Sequence, residues 1–136
     1  MPEKKTRDAA RKDKREGKSA STQAGEYVHA EIEHIREGKH GARSAKQAIA
    51  IGLSKARRDG VKVPAKKGSK TAAKKAATPS PTRSTAAKKA LKREPRKAAS
   101  KSALSRQATK AASKRSAASR SASAKKAART RARNKK

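Results

Sequence analysis

Large apolar side chains are confined to one stretch of this chain, and their spacing there is helical. In "STQAGEYVHAEIEHIREGKHG", which begins at Ser21, the positions Ala24, Tyr27, Val28, Ile32 and Ile35 keep to one face of a 3.6-residue period. Ser21 and Thr22 suit the N-cap, Glu26 suits the positive helix start and Gly38 suits the C′ position. A helix is therefore predicted over about 21–37. The next segment, "RSAKQAIAIGLSKARRDG" at 43–60, carries a second stripe of Ala45, Ala48, Ile49, Gly52, Leu53 and Ala56. Ser44 with Gln47 three residues on forms a capping box, Arg57 and Arg58 favour the helix end, and Gly60 terminates it with Pro64 beyond. This predicts a second helix over about 45–59.

Joined through "GKHGAR", the two helices make an all-α fold, a small helix-turn-helix-like hairpin. Its expected core is Tyr27, Val28, Ile32 and Ile35 against Ile49 and Leu53, with Ala48 and Gly52 small enough for close backbone approach. Ile51 falls off the stripe, which leaves it for a second copy of the chain, as in a homodimer, or for a ligand to cover.

The rest of the chain lacks the material for a core. Val, Ile and Leu together number ten, eight of them between residues 28 and 63, and there is no Phe or Trp. The expected organisation is a charged flexible arm over 1–18, the hairpin over 19–63 and a largely disordered Lys/Arg/Ala/Ser tail over 64–136. "AAKK" recurs in that tail at 72–75 and 86–89, while Pro79, Pro81 and Pro95 interrupt any helix.

Charge sharpens the division. Residues 1–60 hold 15 Lys/Arg against nine Asp/Glu, a net of +6, whereas 61–136 hold 26 against Glu94 alone, a net of +25. Such a density favours a polyanion partner. The residues expected to meet phosphate are Lys66, Lys67, Lys74 and Lys75, then Arg83, Lys88, Lys89, Lys92, Arg93, Arg96 and Lys97. Lys125, Lys126, Arg129, Arg131 and Arg133 extend the set to the C-terminus. Lys39, Arg43 and Lys46 join it from the loop "GKHGARS", where glycines and a capped helix start suit an anion. With Tyr27 as the one aromatic residue, base stacking on aromatic platforms is disfavoured. Duplex DNA is thus the favoured partner and RNA the other.

Catalysis is not expected. The chain has no Cys, no serine sits in a nucleophile elbow, and "GSKT" at 68–71 lacks the upstream glycine spacing of a phosphate-binding loop. His29, His34 and His40 fall near Glu31, Glu33 and Glu37, but no two histidines share the spacing that projects them together from one helix. Glu31-x-x-His34 has the i, i+3 spacing of di-iron helices without the further carboxylates such sites need. The expectation is a solvated helix face, no metal, no cofactor and no enzyme. The N-terminus has neither the apolar core of a secretory signal nor the acid-poor character of a transit peptide, and no run is long enough to span a membrane, so a cytoplasmic protein is expected.

Two resemblances follow from the same residues. The "AAKKA" blocks and Ser-Pro step of the tail resemble the C-terminal tails of linker histones and of bacterial lysine-rich histone-like proteins, without the winged-helix domain of the former. The run from Lys46 to Arg57, "KQAIAIGLSKAR", resembles a family of small basic bacterial proteins, some labelled DNA-binding or plasmid-stabilisation. The second resemblance implies a bacterial source, and the basic tail adds the expected function: a nucleoid-associated protein that binds and compacts DNA without sequence preference, its tail neutralising phosphates and its hairpin anchoring or dimerising. An RNA- or ribosome-associated protein, or a scaffold localised by its tail, is the alternative.

Overall fold

The structure is a computed structural model that describes residues 3–64 and 80–135. Its described residues form helices, turns and connecting segments. In chain order these are α1 (Lys4–Arg15), α2 (Ala20–Arg36), α3 (Ala45–Arg58), α4 (Pro81–Arg93), a single 3-10 turn (Arg96–Ala99), α5 (Lys101–Ser113) and α6 (Ala117–Asn134).

The sequence pattern accounts directly for α2 and α3. Ser19, rather than Ser21 or Thr22, caps α2, its Oγ accepting from the Thr22 N–H at 3.3 Å. Ser44 caps α3 by accepting from the Gln47 N–H, and the Gln47 side chain accepts in return from the Arg43 N–H at 2.7 Å. The reciprocal pair therefore closes one residue further back than in the standard box. Gly38 and Gly60 follow the two helices with φ of 79° and 86°, a left-handed conformation in which a Cβ would be strained.

Along the α2–α3 interface α3 presents its smallest residues. Ala45, Ala48, Gly52 and Ala56 are buried, and a Cβ built on Gly52 would lie 2.7 Å from Val28 Cα. That closeness shapes the rest of the core. Tyr27 and Ile35 are buried, but Val28, Ile32, Ile49 and Leu53 are half-buried, because the backbones meet before long side chains can interleave. Ile51, expected to be left over, is also half-buried.

Two expectations are corrected here. The fold is a multi-helix bundle, not a two-helix hairpin with disordered arms. The N-terminal arm is helix α1, packed on α2, and its buried face consists of Thr6, Ala10 and Asp13. Ala10 joins Ala24, Tyr27 and Ala56 in one apolar cluster, with Leu53, Val61 and Val63 against it. Polar contacts hold the same end: the Tyr27 hydroxyl donates to Asp59 at 2.8 Å and Arg7 pairs with Asp59 at 3.3 Å. No large apolar residue announces this helix, so the hydrophobic pattern misses it.

The second correction concerns the tail. Its described part is helical, and the 3-10 turn completes a second cluster at the other end of the hairpin, where Ala98 and Ala99 close over Ile35, Ala42 and Ala48. Backbone bonds fix this docking: Gly41 N–H donates to Leu91 O at 2.9 Å and Ala42 N–H to Pro95 O at 3.2 Å. Arg36 adds a guanidinium bond to Ala99 O at 3.0 Å. Pro81, expected to break a helix, instead begins α4 at the position where a missing N–H costs nothing. Ser80, Ser100 and Ser116 cap α4, α5 and α6, so the scattered serines of the tail act as helix starts.

Candidate nucleic-acid interface

Helices α4, α5 and α6 bury none of their residues. Arg83, Lys88, Lys89, Lys92 and Arg93 on and beside α4, then Arg96 and Lys97, are exposed, as are Lys125, Lys126, Arg129, Arg131 and Arg133 on α6. Among the described residues no Lys or Arg of these three helices has a carboxylate within ion-pair reach. The single acid of this half, Glu94, lies just past α4 and pairs at 3.7 Å with Arg43 across the bundle.

The α4 and α6 cations share a register. Arg83, Lys88, Lys89 and Lys92 recur as Arg120, Lys125, Lys126 and Arg129, 37 residues later. At about 100° per residue, Lys88, Lys89 and Lys92 fall within an arc of about 100° on the helix surface, and Lys125, Lys126 and Arg129 do the same. Each helix thus offers a cationic face with alanine and serine between the charges. Lys66, Lys67, Lys74 and Lys75, and the "GSKT" segment, lie outside the described residues.

The loop site is rearranged relative to its expected form. Lys39, Arg43 and Lys46 are all exposed, and the Arg43 side chain is 84% so. The Gly41 and Ala42 N–H groups, however, are spent on Leu91 and Pro95 carbonyls, so they offer nothing to a phosphate. A Cβ on Gly41 would fall 1.8 Å from Glu94 O, so the glycine serves this close backbone crossing. Lys39 is held by Glu3 at 3.1 Å and Glu37 at 3.0 Å, which raise its pKa, the bond to Glu37 most. Glu3 is correspondingly lowered, first by its bond from Lys39 and then by that with His34.

A separate polar cluster sits where α2, α3 and the α2–α3 loop converge. Glu31 is 1% exposed, a buried carboxylate on α2. Lys55 of α3 donates to its Oε2, His40 Nε2 stands 2.9 Å from its Oε1, and His34 Nδ1 lies 4.0 Å from Oε2. His29 is exposed and stands outside this group of donors. The helical spacing of Glu31 and His34 is readable in the sequence, but His40 arrives from the loop and Lys55 from α3. No local spacing rule could have joined the four.

Residues 11–67 match a family of unknown function (DUF6496), a span that includes the whole of α2 and α3. No curated protein and no solved structure matches the chain.

Proposed function

We propose that this chain binds duplex DNA without sequence preference and compacts it, in the manner of a histone-like nucleoid-associated protein of the bacterial cytoplasm. The observation that carries this reading is the pair of unburied helices α4 and α6, whose cations repeat in register and have no carboxylate partners among the described residues. Helices of this kind repel themselves in water, and phosphate is the counter-charge that relieves the repulsion. Alanine and serine between the cations leave no side chains of the kind that read base edges, which favours backbone contact over sequence recognition.

A titration of labelled duplex DNA across salt concentrations tests the proposal. Engagement of about ten phosphates gives a slope of log K against log salt of about −9, and scrambling the DNA sequence leaves affinity unchanged. Replacing Lys125, Lys126 and Arg129 with Ala, which touches no buried residue, should make the slope shallower by about 3. A slope near about −2, indifferent to those substitutions, overturns the mechanism. Competition by structured RNA at tenfold lower concentration than DNA would reassign the partner to RNA.

A further inference from the structure

Nucleic-acid binding leaves the buried cluster around Glu31 unexplained. Lys55 satisfies Oε2 of this carboxylate, but Oε1 has no hydrogen-bond partner among the described residues. His40 Nε2 is 2.9 Å from Oε1, yet it is not aligned to donate to it. The distance fits a hydrogen bond and the direction does not. A buried carboxylate oxygen left in that state is costly and calls for a partner.

The outer nitrogens of the two rings indicate what that partner is. His40 Nδ1 stands 3.0 Å from Gly41 O, and a carbonyl only accepts, so Nδ1 carries the proton. In the neutral ring Nε2 then presents a lone pair. His34 Nε2 stands 3.1 Å from the Glu3 carboxylate, again an acceptor, which leaves Nδ1 as the lone-pair nitrogen facing Glu31. Two imidazole lone pairs and a carboxylate oxygen therefore converge, with ligand atoms all within 4.8 Å of one another. Two ligands of a tetrahedral ion at about 2.0–2.1 Å stand about 3.3 Å apart. His40 Nε2 is already 2.9 Å from Oε1, His34 Nδ1 is 4.0 Å from the neighbouring Oε2, and with the three donors within 4.8 Å of one another a small inward movement of the His34 ring brings the set to that spacing. Ligands of one ion also point at the ion and not at each other, which is the misalignment seen between His40 and Glu31.

We propose that Glu31, His34 and His40 form a binding site for a divalent transition-metal ion, zinc by its donor set. Two imidazoles and a carboxylate suit zinc and leave a fourth position for water. Glu3 and the Gly41 carbonyl are the outer acceptors that hold the rings, as such sites require. Lys55 remains on Oε2, so Glu31 ligates through Oε1. Because Glu3 precedes α1, His34 lies on α2 and His40 lies in the loop, the ion ties the N-terminal helix to the hairpin.

The test uses the full chain, stripped with chelator and titrated with Zn²⁺ in phosphate-free buffer at high salt. One equivalent should bind, the melting temperature should rise, and Co²⁺ in its place should give the intense visible bands of a four-coordinate site. Histidine-selective NMR reads the site without substitution: Zn²⁺ should move the His34 Nδ1 and His40 Nε2 signals and leave His29 in place. His40→Gln, a loop change that disturbs no helix, should weaken binding by about a hundredfold, and Glu3→Ala by about 10–100-fold through loss of the outer acceptor. His29→Ala should bind as the parent does. Failure to saturate at one equivalent, His29 signals moving with the others, or His40→Gln binding as tightly as the parent each overturns the proposal.

Discussion

Gly52 leaves no space for a side chain. A Cβ there would come 2.7 Å from Val28 Cα and 3.1 Å from Tyr27 O, and backbone atoms of a packed helix cannot swing aside. Gly52→Ala should therefore force α2 and α3 apart, at a cost of about 1–3 kcal/mol, even though alanine is the better helix former. Thermal unfolding followed by circular dichroism should show a lower midpoint with low-temperature helicity retained. An unchanged midpoint would mean the helices do not meet here. Tyr27 makes a different prediction. Its burial, with the bond to Asp59 added, pushes the phenol up to about 12 from its ordinary value near 10. The protonated phenol is thus favoured in the folded state, so its contribution is complete below about pH 10 and is lost as pH rises towards 12. Lysine titration overlaps this window, so the comparison is with Tyr27→Phe, which removes the phenol proton and the Asp59 bond while keeping the ring. Between about pH 8 and 12 the parent should lose more stability than the variant. Parallel losses would place the Tyr27 hydroxyl in solvent.

At the scale of elements, what the sequence discloses depends on which physical signal each helix carries. Helices α2 and α3 combine apolar periodicity, a capping serine and a terminal glycine, and those three signals agree. Their ends, Ala20–Arg36 and Ala45–Arg58, lie within a residue of the predicted spans. Helix α1 has only the last kind of signal, Gly17 at its end, because the face it buries is Thr6, Ala10 and Asp13. Asp13 is tolerable inside because Lys18 pairs with it at 2.7 Å, and that bond, the largest influence on Lys18, raises the lysine further above its usual range. A helix that packs through alanine and ion pairs is indistinguishable, by hydropathy, from a solvated arm. The same blindness hides the 3-10 turn, whose Ala98 and Ala99 are two alanines among many. The polar cluster was half legible: Glu31 and His34 share a helix face, whereas His40 reaches them only once Gly41 is pinned against the chain at Leu91.

Across the whole molecule, two small cores at opposite ends of the hairpin divide the work. One is closed by α1 with Val61 and Val63, the other by Ala98 and Ala99 from the basic half. The second closure is what couples the charged helices to the folded part, since it fixes where α4 leaves and α5 begins. Truncating the chain would be an ambiguous test, because it would remove repulsion along with the docking contacts. Ala99→Asp is cleaner. Ala99 is fully buried against Ile35, Ala42 and Ala48, so an aspartate there would overfill an apolar cluster with a carboxylate, and the turn should release instead of burying the charge. The loss is then capped at what docking supplies, three hydrogen bonds at about 1 kcal/mol each and a little alanine burial, or about 3–4 kcal/mol. Hydrogen exchange should accelerate at Gly41 and Ala42, whose amide partners are the Leu91 and Pro95 carbonyls, while protection around Ala24 and Ala56 persists. DNA affinity should survive, because the α4 and α6 cations lie outside this contact. Collapse of protection at both ends would instead show that the two cores unfold as one unit, with the basic half a structural part of the bundle and not a docked appendage.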